Sequence, residues 1–370
     1  MGTDALSQNR SNLASPAKPS GNRIEALDAI RAFAILTITI NHISSLTVYL
    51  GRKGANFPTY THFGFSSAAE TFVMVSGLLF GLAYFSKINR YFYHRSIGRM
   101  FKIMAANCVL ILLIFSVVSM SPTEVGQVTG VSLNGSANWN AITSALTMLD
   151  APFLATILLL YVKVIAILIL FRLALRRTRL IVTISLAIYA FSQTRILSGL
   201  PWLEGDFNPL SWQLAFVIPA VTAKECAVWL NRSVNGRGFV VAVPFILVIL
   251  GFVLKASLRY LTDIDLQEQF LFSKSHLGPL RILSAIVSFV FLFQIFSYLQ
   301  KYFPKLGNIF GAIGANSLET FIASVVAVYV VGALWLLQPS TISYWAFCLA
   351  GSLAVGVFGY LFTQWKRMAI

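Results

Sequence analysis

Long apolar stretches separated by short polar segments fill the sequence from about residue 28 onward. Each stretch is close to the ~20 residues that an α-helix needs to cross a bilayer. Only 11% of the 370 residues are charged, whereas soluble domains hold roughly 25%. The pattern therefore predicts an all-α, polytopic membrane protein with about ten transmembrane helices. The predicted spans are 28–50, 67–86, 100–120, 151–172, 179–198, 209–230, 238–258, 277–299, 308–332 and 341–364.

The chain before the first span has a different composition. Residues 1–22 are rich in Ser, Asn, Pro and Gly and lack the apolar run that a signal peptide needs. A segment this polar cannot bury enough apolar surface to fold. We expect residues 1–25 to form a disordered cytoplasmic tail and residues 26–370 to form one transmembrane domain.

Basic residues are concentrated in alternate loops between the predicted spans. The segment 121–150 contains no Lys or Arg at all. Because cytoplasmic loops collect Lys and Arg, the pattern predicts cytoplasmic N- and C-termini and an external segment 121–150. The same bias accounts for the formal net charge of +15, so the lipid bilayer is an expected partner and nucleic acid is not.

The first span carries polar residues at depths where ionisable groups are costly. Asp28 and Arg31 lie one turn apart at its predicted cytoplasmic end and can pair, and Asn41 and His42 lie further along. An α-helix brings His42 back to nearly the face of Arg31, about 16 Å along the axis. Arg31 suits a snorkelling anchor or a ligand cation, and His42 suits a packing hydrogen bond or a general base.

The second span combines a carboxylate with a small-residue motif. Glu70 shares a helix face with Gly77 and Gly81, whose spacing allows another helix to approach closely. The Glu70 side chain is therefore expected to face protein and not lipid. It either satisfies neighbouring hydroxyl groups or acts as the partner of His42.

Lys163 lies in the middle of the fourth span, where burying a charged side chain is also costly. It either pairs with a buried acid or binds an anion. The sequence leaves its partner open among Glu70, Glu225 and Glu319.

Two more groups of polar residues lie at span edges. The loop after the second span places arginines beside aromatic residues, which suits lipid headgroups or the phosphates and base of a nucleotide. On the predicted external side, Trp, Gln and His suit either a carbohydrate or the membrane interface. The arginines are Arg90, Arg95 and Arg99, and the external residues are Trp212, Gln213, His276 and Arg281.

As a set, these segments resemble the OpgC family, the membrane succinyltransferases that modify osmoregulated periplasmic glucans. The separation of Arg31 and His42 is similar to the signature of the wider transmembrane acyltransferase group. Ser67 and Ala32 depart from the family pattern, which often has Asp and Gly at these positions. The matching segments are Leu27-Asp28-Ala-Ile-Arg31, Asn41-His42-Ile43, Phe63-Gly-Phe-Ser66, Ala69-Glu70, Phe72-Val73, Ser76-Gly77, Asn208-Pro209, Trp212-Gln213, His276-Leu-Gly-Pro-Leu-Arg281 and Ser317-Leu-Glu319.

The resemblance implies a transmembrane acyltransferase domain over residues 26–370, with its active site inside the bacterial inner membrane. Acyl-CoA, with succinyl-CoA as the expected donor, would be a co-substrate supplied from the cytoplasm, with no permanently bound cofactor and no metal. The acceptor would be a hydroxyl group of periplasmic β-glucan.

Acyl transfer would give the candidate residues distinct roles. His42 would be the general base and Glu70 its partner, with Asn41 or Ser76 stabilising the oxyanion. Arg31 and the arginines of the basic loop would bind the CoA phosphates. The substrate-binding candidates are Asp28, Arg31, Arg90, Arg95, Arg99, Lys163, Trp212, Gln213, His276, Arg281 and Glu319.

A transporter or flippase of a lipid-linked sugar is the alternative function, because it also combines buried charges, polar outer ends and many spans. Transporters tend to show paired repeats and broken spans, and the sequence shows neither clearly. If the chain were a scaffold subunit of an envelope complex, His42 and Glu70 would have no functional role. The sequence leaves open the acyl group, the exact glucan and whether the chain forms a homo-oligomer.

Overall fold

The computed structural model describes most of the chain. The described residues are 25–85, 89–130, 153–175, 177–194, 205–235, 238–261 and 269–369, together with positions 143, 196, 200 and 203. For residues 235, 238–241 and 259–261 only the helical backbone is described. The tail predicted over 1–25 lies outside this part of the chain except for Glu25, and so does most of the predicted external segment 121–150.

All regular structure in the described residues is helical. A π-helical turn, Gly81–Phe85, continues the second α-helix, and short 3-10 turns occur at Tyr60–His62 and Phe270–Phe272. The α-helices are α1 (Glu25–Tyr49), α2 (Ala68–Phe80), α3 (Asn89–Ser119), α4 (Thr123–Thr129), α5 (Thr156–Ala174), α6 (Thr178–Gln193), α7 (Pro209–Val221), α8 (Ala223–Asn235), α9 (Gly238–Leu261), α10 (Pro279–Tyr302), α11 (Pro304–Ala315), α12 (Ser317–Leu337) and α13 (Thr341–Met368).

Seven helices in the described residues are long and apolar enough to cross a membrane: α1, α2 with its π-helical turn, α3, α5, α10, α12 and α13. The α7–α8 pair, bent by 79°, makes up to eight if it counts as one span. Two shorter apolar helices lie at 178–193 and 242–258. A polytopic, all-α membrane protein is thus confirmed, while the count of about ten spans and the cytoplasmic location of both termini stay predictions.

Two of the predicted continuous spans are broken. The stretch 209–230 divides at Thr222 into α7 and α8, and Pro219 lies one turn before the break. A proline inside a helix removes a backbone hydrogen bond and bends the chain. The stretch 308–332 divides at Asn316, whose backbone is not helical. Polar residues mark both breaks, Lys224 and Glu225 at the first and Asn316 and Glu319 at the second. The apolar residues on both sides of each break made the stretches look continuous.

The helix α1 is the central element of the bundle. It packs against α2, α10, α11, α12 and α13, and its apolar side chains, such as Leu27, Ile30 and Ile35, are fully buried. The α11 backbone reaches α1 at Gly314, where an added Cβ atom would overlap the Asp28 carbonyl group. Protein therefore surrounds the face of α1 that carries the candidate chemistry.

The predicted small-residue contact of the second span is confirmed. Gly77 packs against the backbone of Phe216, and Gly81 packs against the backbone of Ala220 on α7. A Cβ atom at either glycine would collide with the carbonyl oxygen of the facing residue. This close contact fixes the orientation of α2, and the Glu70 side chain on it is fully buried, as expected.

Candidate functional site

The helix α1 joins two regions of the bundle that carry different chemistry. We call the end at which α1 begins the basic end, since Arg31, Arg99, Lys102 and Lys366 lie there. We call the end at which α1 finishes the histidine end, since His42 lies there. The two ends are described in turn.

A cavity of about 730 Å³ opens at the basic end. It brings together five of the predicted site residues from four helices, α1, α2, α3 and α12. Four exposed or half-buried residues, Arg99, Lys102, Glu319 and Lys366, form its charged rim. The predicted residues that line the cavity are Asp28, Arg31, Ser76, Arg99 and Glu319.

Arg31 is held firmly in the cavity wall. Its Nη2 atom donates to Asp28 Oδ1 at 3.0 Å and to the Gly314 carbonyl oxygen at 2.6 Å. The predicted pair of Asp28 and Arg31 is confirmed. Since α1 and α11 meet at this point, the guanidinium group also ties the two helices together.

Aromatic residues form the inner part of the cavity. The Tyr161 ring packs edge-to-face against Phe72 and Phe216, with ring centroids 5.8 Å and 5.9 Å away. Its hydroxyl group donates to the Phe72 carbonyl oxygen at 3.1 Å. Ser76 lines the same region. Because the walls are apolar, a ligand that reached past Arg31 would be largely removed from bulk water.

The charged rim contains an ion pair that involves Glu319, one of the acids that the sequence offered as a partner of Lys163. Lys102 Nζ lies 2.7 Å from Glu319 Oε1, and Lys366 Nζ donates to Asn316 Oδ1 at 3.2 Å. Glu319 thus pairs with Lys102 and not with Lys163. Lys163 is half-buried on α5 and does not line the described cavity.

The basic loop predicted after the second span is mostly helical. Its arginines belong to the first turns of α3, which begins at Asn89. Arg90 and Arg95 are exposed and lie outside the cavity lining, with the Arg95 guanidinium 5.2 Å from the Tyr91 ring centroid. Of the three predicted arginines, Arg99 alone reaches the described cavity.

His42 is half-buried at the histidine end. Its Nδ1 atom is buried and has no hydrogen-bond partner among the described residues. The ammonium group of Lys274 lies within electrostatic reach of the ring. An imidazole whose Nδ1 atom has no partner in the described chain differs from the usual catalytic histidine, which another side chain orients.

The neighbour of His42 belongs to a polar network. Asn41 Nδ2 donates to Thr61 Oγ1 at 3.1 Å, and Thr59 Oγ1 donates to Asn41 Oδ1 at 2.8 Å. The same Thr59 hydroxyl group lies 3.1 Å from His62 Nδ1. This network fixes the segment between α1 and α2 beside His42.

Glu70 forms an ion pair that the sequence did not predict. Its carboxylate accepts from the Ser67 backbone N–H at 2.7 Å, from the Ser67 hydroxyl group and from Arg281 Nε. Arg281 also donates to the Phe272 carbonyl oxygen at 3.3 Å. No hydrogen bond joins Glu70 to His42 within the described residues. Glu70 therefore links the start of α2 to the start of α10.

Tyr60 lies close to this ion pair. Its hydroxyl group donates to Thr71 Oγ1 at 3.4 Å. Burial and the nearby Glu70 carboxylate raise the pKa of the Tyr60 phenol, so this group stays a neutral hydrogen-bond donor.

Sequence reasoning missed Lys255. Its ammonium group donates to the Thr61 carbonyl oxygen at 3.4 Å and to the Gly64 carbonyl oxygen. It holds the segment that carries the Asn41 network from the side of α9. A charged residue inside the predicted span 238–258 was the signal that could have revealed it.

The predicted carbohydrate residues are engaged within the protein. Trp212 is fully buried, and its Nε1 atom donates to the carbonyl oxygens of Lys274 and Ser275 at 3.0 Å and 3.1 Å. Gln213 is fully buried and exchanges two hydrogen bonds with Ser185. Trp212 and Gln213 therefore have no exposed side-chain surface with which to make the predicted sugar contacts. His276 is half-buried, and its carbonyl oxygen accepts from Gln193.

Residues 23–367 match the family model described as OpgC protein. No curated protein and no solved structure matches the chain. The matched region runs from the residues before α1 to the last turn of α13, so it contains both the basic end and the histidine end.

Proposed function

The chain belongs to the OpgC family, a family of glucan-modifying membrane acyltransferases, and from this premise we propose that it moves a succinyl group from succinyl-CoA to a hydroxyl group of periplasmic β-glucan. The cavity at the basic end would receive the donor, and the histidine end would receive the acceptor. The observation that supports this most is that α1 carries Arg31 in the cavity wall and the half-buried His42 at the other end.

The basic end suits a CoA donor in charge and shape. Arg99, Lys102 and Lys366 offer cations to phosphates, and the inner part of the cavity is aromatic and apolar. A pantetheine arm could extend along α1 from Arg31 toward His42, a distance of about 16 Å along a helix axis. Water would be kept from the thioester, which limits its hydrolysis.

The histidine end would perform the chemical step. His42 Nε2 takes the proton from a glucan hydroxyl group, whose oxygen attacks the thioester carbonyl carbon. The tetrahedral oxyanion then collapses, the C–S bond breaks, and the CoA thiolate takes the proton back from His42. Asn41, which lies beside His42, or Ser76, which lines the cavity at the basic end, would stabilise the oxyanion. The cation for the free succinyl carboxylate would be Lys163, Arg281 or Arg259, whose side chain lies outside the described part of the chain.

Glu70 would act by positioning. Its carboxylate contacts Ser67 and Arg281, so we assign to it the alignment of α2 and α10 beside His42 and not a direct bond to the imidazole.

The proposed topology follows the basic residues. Both termini would face the cytoplasm of a bacterium, with the chain in the inner membrane. The seven long helices, the bent α7–α8 pair and the two shorter apolar helices would together make the ten predicted crossings.

A transporter or flippase stays the second candidate because of one observation. The breaks at Thr222 and Asn316 interrupt spans that the sequence predicts as continuous, and discontinuous helices are frequent in transporters. The helices beside the two breaks differ in length, 13 and 13 residues at Thr222 and 12 and 21 residues at Asn316, so the breaks do not form an obvious repeat.

The test is transfer of radiolabelled succinate by purified protein in detergent. With succinyl-CoA and β-glucan, the wild-type protein should label the glucan, and His42→Ala should lower the rate at least about a hundredfold. His94→Ala, which removes an exposed histidine of α3, is the matched control and should retain transfer. A His42→Ala protein as active as this control would place the base elsewhere. Absence of labelled glucan with wild-type protein, together with uptake of glucan precursors by proteoliposomes, would favour the transporter.

A further inference from the structure

The charges around the cavity are unequally satisfied. Deep in the wall, Asp28 and Arg31 bond to each other. At the charged rim, the cavity lining holds three cations, Arg99, Lys102 and Lys366, and one carboxylate, that of Glu319. The rim therefore keeps an excess of positive charge that faces the cavity opening.

Glu319 interacts with both lysines of the rim. Lys102 Nζ contacts it at 2.7 Å, and Lys366 is close enough to act on it electrostatically. The Lys102 side chain is 48% exposed and the Glu319 side chain 22% exposed. An ion pair with this much solvent access contributes little to stability, so it can open at small cost when another anion competes for the lysines.

We propose that the charged rim is a binding site for a phosphate monoester and that Glu319 occupies it until such a ligand displaces the carboxylate. The inference rests on the proposed function for the identity of the ligand, which would be the 3′-phosphate of the CoA donor. Glu319 is then a competitor of the ligand and not one of its contacts.

The charge of the ligand explains why a phosphate can win this competition. A phosphate monoester carries close to two negative charges at neutral pH, whereas the Glu319 carboxylate carries one. Lysine acts as a compact point charge that suits phosphate without demanding a fixed bidentate geometry. A dianion that enters the rim can therefore bind Lys102, Lys366 and Arg99 together, while Glu319 turns toward solvent.

This arrangement predicts an unusual mutational result. Removing the Glu319 charge should strengthen binding, although the residue lines the binding cavity. Removing a lysine charge should weaken binding. An ordinary ligand contact at Glu319 would give the opposite sign.

The test is calorimetric titration of purified protein in detergent with CoA and with 3′-dephospho-CoA. Glu319→Gln should bind CoA about two- to fivefold more tightly than wild type, the range that an exposed ion pair supplies, and should change dephospho-CoA binding little. Lys366→Gln should weaken CoA binding by a similar factor and reduce the preference for CoA over dephospho-CoA. Glu225→Gln, which alters an exposed glutamate outside the cavity lining, is the matched control and should leave both affinities unchanged.

Three outcomes would overturn the inference, and they separate it from the proposed function. If wild type binds CoA but Glu319→Gln binds it equally or less tightly, Glu319 is no competitor, and the proposed donor stands. If Lys366→Gln keeps the full preference for CoA, the rim does not hold the 3′-phosphate. If wild type binds no CoA, but Glu319→Gln retains more phosphatidylglycerol during purification than Glu225→Gln does, a lipid headgroup occupies the rim, and the proposed donor fails as well. Size-exclusion profiles of all variants report whether each one is folded.

Discussion

The basic end and the histidine end both carry charged side chains, but they use them in different ways. At the basic end, Lys102, Glu319 and Lys366 are partly exposed around an open cavity. At the histidine end, Glu70 and Arg281 are buried and bonded to each other. Charges of the first kind stay available to a ligand, whereas charges of the second kind hold protein segments together.

Arg52 illustrates the second kind. Its position in a predicted external loop departs from the charge bias of membrane proteins. Arg52 is 7% exposed, and its guanidinium carbon lies 3.8 Å from the Tyr344 ring centroid. The guanidinium group donates to Thr47, to the Ala55 carbonyl oxygen and to Asn56. An arginine bonded inside the protein in this way stabilises the fold, and its position says little about which side of the membrane the loop faces. Burial and bonding, not charge alone, thus distinguish structural cations from ligand-binding ones.

The largest effect that would test this comparison is expected at the buried pair. Glu70→Ala should lower the free energy of unfolding by about 3–5 kcal/mol, because it leaves the Arg281 guanidinium buried without its counter-ion. Replacing both residues by leucine should cost less than Glu70→Ala alone, since no unpaired charge is left. Thermal or SDS-induced unfolding of the detergent-solubilised protein measures the change.

The matched control for this variant is Glu225→Ala, which removes an exposed carboxylate on α8. Its unfolding free energy should stay within about 0.5 kcal/mol of wild type. Equal stability of the Glu70 and Glu225 variants would mean that the buried pair does not hold α2 to α10.

An intermediate effect is expected at Arg52. Arg52→Lys keeps the charge but loses the directed hydrogen bonds of the guanidinium group and its contact with Tyr344. The unfolding free energy should fall by about 1–3 kcal/mol. Lys53→Ala, an exposed neighbour, is the control for local sequence changes and should have no comparable effect. If both variants unfold at the wild-type temperature, Arg52 is a surface charge and the contrast between the two ends is weaker than the structure suggests.

Features that act within one helix were predictable from the sequence. The pairing of Asp28 with Arg31 depends on positions one turn apart, and the close approach of another helix at Gly77 and Gly81 depends on their spacing. The burial of Glu70 follows from the face that it shares with these glycines. Helical periodicity determines all three without knowledge of the neighbouring helices.

Features that depend on distant segments were not predictable. Glu70 and Arg281 are 211 positions apart, and Lys102 and Glu319 are 217 positions apart. A single sequence does not tell which of several acids a given cation will meet. The burial of Trp212 escaped prediction for the same reason, because polar residues at a helix start suggest an exposed edge unless another segment covers them. The segment with Lys274 and Ser275 does so here.

The smallest stability effect is expected at the charged rim. Lys102→Gln breaks a pair with a half-exposed lysine, so the unfolding free energy should change by no more than about 1 kcal/mol. The difference from wild type should shrink further at high salt, because solvent-exposed charges are screened there. Lys305→Gln, at an exposed position of α11, gives the baseline for losing one surface lysine. A loss of stability comparable to that of Glu70→Ala would show that the pair of Lys102 and Glu319 is structural. The charges of the basic end would then hold the fold together, like those of the histidine end, and would not be available to a ligand.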